Sequence, residues 1–407
     1  MSPTFYSRRL ALLGLGILAV LLSVGTVRAF SRGGNDFAVF FEAWRLVRIG
    51  HGADIYRVSP DRFLYAPGFA WLLSPLSFFS RELALGIWCF AKILVIGALL
   101  KQLSRASLFG ESLLGLGLGA WGMILMARPL LIDFEYGQVN LLILGSCLWG
   151  LLDGSRKFHF LKWVLLTLAA FTKIYPLPLL LVPWLAQRGR DRNQLWRERA
   201  GIGVGALLIL LAPFVDQGWQ GTWSLIVNWG HALIAKGLPL ESHNQSLVAL
   251  LYRYLSGGPV HVLSEGVSPL FLGWRFLTSE KIALLSLGWT VGALGVILFW
   301  LTCGSRKNLF RWAAVLIGLL IVPSHLIWKP YFVLSIPLSF WMVNQAVLRR
   351  NAVLGLGVLG LFIVINLTGF DFVGHKWGAQ FESASILFIA HLALISVAFI
   401  EDRWVSE

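Results

Sequence analysis

Charge is what this chain has least of. Asp, Glu, Lys and Arg make up 13% of its 407 residues, about half the share of a soluble domain. With 57% hydrophobic residues, it cannot hide its apolar surface inside one soluble core. That excludes a water-soluble globular protein and leaves a polytopic membrane protein. Acid is scarcer than base, 20 Asp and Glu against 34 Lys and Arg. The bases sit in short clusters between apolar runs, as cytoplasmic loops do, so the excess speaks for membrane topology and against nucleic acid. Cysteine is nearly absent. Cys89, Cys147 and Cys303 lie in or beside apolar runs at no disulfide or metal spacing, and read as small core residues. The signatures of soluble enzymes are missing too. There is no phosphate-binding glycine loop ending in Lys-Ser/Thr, no nucleophile elbow and no HExxH. No stretch gathers the Asp, Glu and His that an all-protein metal site needs.

What is present is apolar length, with 19 Trp and 42 Gly, both common in membrane helices and at their interfaces. Runs near the ~20 residues a span needs occupy 10–30, 83–103, 112–127, 137–153, 199–215, 281–302, 352–369 and 384–401. The first follows Arg8 and Arg9 without a clear small-residue cleavage site, and reads as an uncleaved helix. "GLGLG" at 115–119 reads as close helix packing. Two stretches are less regular. Residues 311–348 are too long for one crossing and are interrupted by His325, Lys329 and Pro330, so they read as two helices meeting at a polar apex. Residues 160–187 carry Lys173, Tyr175 and Pro176 in their middle. Pro176 disfavours a continuous helix, and a broken or re-entrant pair returns Arg188, Arg190, Arg192, Arg197 and Arg199 to the cytoplasm.

With both breaks, the basic loops share one side with both termini. That side also takes Arg156, Lys157, Lys162, Arg306, Lys307, Arg311, Arg349 and Arg350. The expected fold is an all-α polytopic membrane protein of about 10–12 transmembrane or re-entrant helices, one domain over 1–407, with extracytoplasmic loops at 31–82 and 216–280. Arg62 belongs to the first of these loops. "FAVFFEAWRLVRIG" (37–50) and "GTWSLIVNWGHALI" (221–234) read as amphipathic helices on the outer surface.

The polar clusters left over fall on that outer face: Asp36, "DFEYGQVN" (133–140), "TKIYP" (172–176), "ESHNQS" (241–246) and "SHLIWKPY" (324–331). Ionisable groups near membrane depth are functional candidates. Asp36 is a candidate base or ligand, with an N-cap of the following helix as the plainer alternative. Lys173 is a candidate anion ligand, with snorkelling as its alternative. Gln138 and Asn140 are candidate substrate contacts or interhelical hydrogen bonders. His325, beside Lys329 and Tyr331, is a stronger ligand candidate than His243. The sequons at Asn244 and Asn366 are of a kind common by chance, and Asn244 sits close to the membrane, so neither is expected to carry sugar.

One carboxylate, several cations and aromatic surface on the far face suit transfer from a donor already carried across, such as a sugar on a polyprenyl phosphate. The carboxylate would take the acceptor proton, and the cations would meet the charge on the leaving phosphate. A transporter or flippase of a lipid-linked sugar is the alternative, and it would call for midplane sites and repeat symmetry, of which the sequence shows none. A lipid-binding or assembly scaffold is a third reading, in which Asp36 is dispensable.

"NDFAVFFEAWRLVRIGHGADIYR…FLYAPGFAWLLSPL" resembles the opening of glycosyltransferase family 87, integral-membrane enzymes of the GT-C superfamily. The residues that carry the resemblance are Asp36, Phe40, Phe41, Ala43, Gly50, Tyr56, Tyr65, Pro67 and Pro75. "YGQVNLLILG", "FTKIYPLPLLL" and "NQSLVALLYR" follow in the family's order. The resemblance implies a GT-C-like helical bundle, an inverting transfer of a sugar such as mannose from a polyprenyl-phosphate donor, Asp36 as general base, and no cofactor or obligatory metal. Arg128, Gln138, Asn140, Lys173, Tyr175, His325 and Lys329 then become donor phosphate or sugar contacts, and Asn244, Gln245, Ser246 and Arg253 acceptor or loop contacts. The implied partners are the lipid-linked donor, a lipid or glycan acceptor and membrane lipids. The implied location is a bacterial plasma membrane with the site outside. The chain departs from the family pattern in the order of "PSHLIWKPY", and the lack of a second acid adjacent to Asp36 sets it apart from the related protein-mannosylating and aminoarabinose-type enzymes.

Overall fold

The computed structural model describes residues 3–58, 63–152, 158–185, 191–256 and 277–400. Arg62, Arg156, Lys157, Arg188 and Arg190 lie outside the described residues, as does 257–276 of the second loop. All the regular structure is helical, and no strand occurs among the described residues. The helices Ser7–Arg32, Arg81–Ala106, Ser279–Cys303 and Lys329–Arg349 are long and apolar enough to cross a bilayer. Three helix pairs pass the same test together but bend at a short break: Leu113–Leu125 with Ala127–Glu135 by 75°, Arg192–Leu211 with Phe214–Ala235 by 86°, and Ala352–Leu367 with Phe370–Ser383 by 85°. Apolar side chains such as Val20, Val27, Leu284, Phe299, Val353 and Leu356 stand exposed on these helices, where lipid is their solvent. The protein is an all-α polytopic membrane protein.

The chain divides into two compact units. The first comprises Met1–Val24, Gly97–Asp133 and Leu238–Glu407. Its core is apolar and close-packed around Ala313, Ala314, Ile317, Phe340 and Phe388, all fully buried. The glycine-rich helix Leu113–Leu125 lets backbones approach. A Cβ on Gly117 would stand 2.4 Å from that of Ala11, and one on Gly122 would stand 2.7 Å from the Cα of Phe340. Ser339 Oγ spans the second contact by donating to the Gly122 carbonyl at 2.6 Å. Gly122→Ala is therefore expected to cost about 1–2 kcal/mol and lower the melting temperature in nanodiscs. Gly203→Ala, where a Cβ meets nothing within 4 Å, should leave it unchanged or raise it slightly.

The second unit comprises Gly25–Ile96 and Phe134–Gly237. The helix His159–Thr172 packs on Arg192–Leu211, where a Cβ on Gly201 would stand 2.5 Å from the Phe160 carbonyl oxygen. After Thr172 the chain breaks, as Tyr175-Pro176 requires, and continues through a 3-10 turn, Leu177–Leu181, into a four-residue helix, Val182–Leu185. Arg199 ties this arm down by donating to Pro183 O at 3.1 Å and lying over the Trp184 ring.

The helix Asn35–Arg48 differs from expectation. It is amphipathic, but protein covers its apolar face. Phe37, Phe40, Ala43, Trp44, Leu46 and Val47 are buried, and Phe40 meets Tyr65 and Phe69 edge-on at 4.8 and 5.4 Å. Tyr56 closes this cluster with a 2.6 Å hydrogen bond to the Tyr65 carbonyl. Phe37, Phe40, Trp44, Tyr56, Phe63, Tyr65 and Phe69 thus form a packed aromatic core, while Phe78 and Phe79 stand exposed. Cys89 and Cys147 are buried as expected, whereas Cys303 is exposed.

Candidate functional site

Asp36 owes its position to two glycines and a loop. Gly33 and Gly34 both adopt left-handed backbone, φ 68° and 56°, which turns the chain sharply at little steric cost. The helix Asn35–Arg48 starts directly after them. No side chain caps it, so Asp36 is not the N-cap. Instead the Tyr136 carbonyl accepts from the backbone N–H groups of Asp36 and Phe37 at 3.0 and 3.1 Å, satisfying donors that a helix start leaves unpaired. The next residue, Gly137, has φ 65° and packs so tightly that a Cβ would sit 2.5 Å from that of Phe37. Its carbonyl accepts from the Trp88 indole at 2.9 Å. Loop 136–139 is thereby clamped onto the helix start.

That clamp sets up a directed hydrogen-bond chain. Lys173 Nζ donates to Gln138 Oε1 at 2.9 Å and to Asn140 Oδ1 at 3.0 Å. Tyr175 O–H donates to the same Asn140 oxygen at 3.2 Å. An ammonium can only donate, so the Gln138 oxygen must face Lys173, and its amide N–H then donates to the Asp36 carboxylate. Gln138, Asn140 and Lys173 are buried, and Asp36 is half-buried. The positive end of the helix dipole favours the ionised acid at this turn. An acid of the same sequence block, Glu135, is buried and takes Arg28 and Arg32 as ion-pair partners.

A second polar cluster lies wholly within the first unit. The break before Ala127–Glu135 leaves the Arg128 N–H to be satisfied from outside its helix, and Asn366 Oδ1 accepts it at 2.8 Å. Arg128 Nη1 then donates to Thr368 Oγ1 at 3.2 Å and Nη2 to Glu382 at 3.0 Å. Lys329 pairs with the same Glu382 carboxylate and lies over the Phe370 ring. His243 Nδ1 reaches its other oxygen at 2.8 Å. The sequence reading missed Glu382; its one signal was a single acid at the mouth of the last apolar run. His243 takes the place expected for His325, whose exposed imidazole makes none of these contacts. His325 serves through its carbonyl, which accepts from Asn244 Nδ2 and Ser246 Oγ, both at 2.9 Å.

Asn244, Gln245 and Ser246 are fully buried, and in this conformation they brace the loop. Asn244 also donates to Pro239 O at 2.8 Å and accepts from the Ile327 N–H at 3.1 Å. Asn366 is likewise buried and bonded, to Leu125 O at 3.0 Å. Arg253 donates to Ser383 O, Glu241 O, Asn244 O and Ser385 Oγ at 2.7–3.1 Å. Burial pulls its guanidinium down to about 10, which leaves it charged at neutral pH. Arg253→Met strands several of these acceptors. It should lower stability by about 2 kcal/mol, read as a lower melting temperature, with donor affinity in the folded fraction unchanged. Among the described residues no group of three or more His, Cys, Asp or Glu is gathered as a metal site would require.

The sequence profile of glycosyltransferase family 87 matches residues 63–330, about two-thirds of the chain. The matched span begins after Asp36 and ends before Glu382. No curated protein and no solved structure gives a significant match. A profile match over this much of an all-helical membrane chain shows the family: the protein is an integral membrane glycosyltransferase belonging to glycosyltransferase family 87.

Proposed function

We propose that the protein moves a sugar, mannose being the first to test, from a polyprenyl-phosphate donor to a lipid or glycan acceptor. In this reading the reaction takes place at the outer face of a bacterial plasma membrane, with both termini cytoplasmic and the loops at 31–82 and 216–280 outside. Asp36 is the general base. It takes the proton of the acceptor hydroxyl as that oxygen bonds to the sugar C1. The C1–O bond to the phosphate breaks, and the phosphate leaves with the bonding pair. One displacement inverts the anomeric centre. No metal or cofactor takes part in this reading, and membrane lipids are the only other partner.

The observation that carries the reading is the Lys173–Gln138–Asp36 chain. A carboxylate at a helix start usually serves as a cap. Here a carbonyl does the capping, and a buried cation orients the amide that holds the carboxylate. That is how a base is kept aimed and ionised for proton transfer. In the same reading Arg128 and Lys329 meet the donor phosphate, while Asn140 holds Lys173 and Tyr175 donates to Asn140. Asn244, Gln245, Ser246 and Arg253 shape the loop beside the acceptor, with His325 on its rim.

The test is the anomeric configuration of the product formed from an isotopically labelled polyprenyl-phosphate sugar, read by NMR. Inversion is expected. Retention would require a covalent sugar intermediate and overturn the single displacement.

A further inference from the structure

Segment 242–246 is held on the end of the helix Phe370–Ser383 by two separate clamps. Gln245 donates to the Glu382 carbonyl at 2.8 Å. Arg253 ties Glu241 O and Asn244 O to Ser383 O and Ser385 Oγ. Ser242, Asn244, Gln245 and Ser246 are buried, yet His243 among them keeps its side chain 40% exposed. Its Nδ1 meets Glu382 Oε2 at 2.8 Å, on a carboxylate whose side chain is 1% exposed. The whole arrangement lies within the first unit. Arg128 and Lys329 both pair with Glu382, which keeps it ionised, and a carboxylate only accepts. Nδ1 therefore carries its hydrogen. The second ring nitrogen, Nε2, points away from the acid, as ring geometry requires, and has no hydrogen-bond partner among the described residues. With Nδ1 fixed as a donor, Nε2 accepts in the neutral ring and donates in the imidazolium. A ring anchored at one nitrogen, partly exposed and mounted on a braced segment is preorganised to bind.

We infer that His243 is a donor-phosphate ligand, its imidazolium giving the Nε2–H to a non-bridging phosphate oxygen while Glu382 holds Nδ1. The inference rests on the polyprenyl-phosphate donor proposed above and deepens it. Arg128 and Lys329, which that reading places on the same phosphate, reach Glu382 from the helix Ala127–Glu135 and the turn Lys329–Ser335, so all three donors gather at one acid. As the C1–O bond breaks, charge grows on the phosphate, and a charge-assisted hydrogen bond to it strengthens. A phosphodiester keeps a single charge throughout the neutral range, so the proton that decides binding belongs to the protein. The other charged or titratable groups on the elements packed here are Asp371, which acts on Arg128, Glu241 and His325 on the loops, and His375 and Lys376 on the helix of Glu382. Of these side-chain types only imidazole changes charge near neutral pH, so His325 and His375 are the competing sources of a pH effect.

The experiment measures binding without turnover, on the full-length protein in nanodiscs, for farnesyl-phosphoryl-mannose and for farnesyl mannoside, which lacks the phosphate. Wild-type affinity for the phosphodiester should fall by on the order of ten-fold between about pH 5.5 and about pH 8.5, as the imidazolium is lost. The mannoside should bind weakly and without this trend. His243→Gln can still donate to Glu382, and should bind the phosphodiester weakly at both ends of the range. His243→Arg keeps a permanent charge with donors for both partners, and should bind it well at both ends. Wild-type affinity that is flat across the range overturns the inference without any variant. A trend that survives His243→Gln overturns it too, and assigns the proton to His325 or His375. Affinity that rises with pH also overturns it, being the sign of a neutral Nε2 that accepts from a sugar hydroxyl. Transfer activity reports separately. Protein that binds with the expected trend but forms no glycosidic bond keeps His243 as a ligand and loses the proposed mechanism, whereas active transfer with donor binding indifferent to His243 does the reverse.

Discussion

Asp36→Asn is expected to reduce sugar transfer by about 10²–10⁴-fold, the range for loss of a general base, with donor affinity unchanged. Asn keeps the size of the side chain and can still hydrogen-bond Gln138, whose amide donates to Asp36 in the wild type. The backbone donors at this turn go to the Tyr136 carbonyl, so the helix start does not depend on the carboxylate and the variant should fold. Transfer rate and donor dissociation constant, measured on the same preparation, decide it. Turnover within a few-fold of wild type would remove Asp36 as the base. Loss of donor binding in step with turnover would make it a ligand instead.

The second large effect is expected at Lys173. Its ammonium is held by Gln138 and Asn140, and the proposed mechanism casts it as a positioning residue acting through Gln138. Lys173→Met keeps the length of the side chain and removes the donor. The Gln138 amide then loses the partner that orients it, Asn140 keeps only the Tyr175 hydroxyl of these two donors, and the base loses its directed N–H. Turnover should fall by about 100-fold, the cost that a small misplacement of a catalytic group can carry, with the donor KM little changed. A rise in donor KM at constant kcat would instead make Lys173 a direct phosphate ligand. The split between the two constants therefore separates the roles.

Much of this was legible in the sequence, for identifiable reasons. The runs at 83–103 and 281–302 sit within the helices Arg81–Ala106 and Ser279–Cys303, and the run at 384–401 contains the helix Ile386–Ile400, because a bilayer demands continuous apolar length and little else resembles it. Tyr175-Pro176 marked the break after Thr172 because the residue before proline avoids helical backbone. The grouping of Asp36, Gln138, Asn140, Lys173 and Tyr175 could be suspected because polar side chains in so apolar a chain have few uses.

Other features left no such trace. The pattern in Asn35–Arg48 says which face must be buried, but not that Tyr65, Phe69 and Trp88 cover it instead of lipid. His325 stands near Lys329 in sequence, yet the imidazole on the Glu382 carboxylate comes from His243, since loop geometry and not sequence distance decides which side chain arrives. Glu382 stands in the sequence as a lone acid just before the last apolar run, a place that carries no mark of function. Only the convergence of Arg128, Lys329 and His243, from three separate parts of the chain, distinguishes it.

Donor class is the central claim and the most direct thing to measure. Purified protein in nanodiscs would be offered a labelled polyprenyl-phosphate sugar or the matching nucleotide sugar, each with a crude lipid and glycan extract as acceptor, and new glycosidic product would be counted. The account predicts product from the lipid-linked sugar and none from the nucleotide sugar. Product from the nucleotide sugar alone, or lipid-linked sugar carried across a vesicle membrane with no new bond formed, would contradict it.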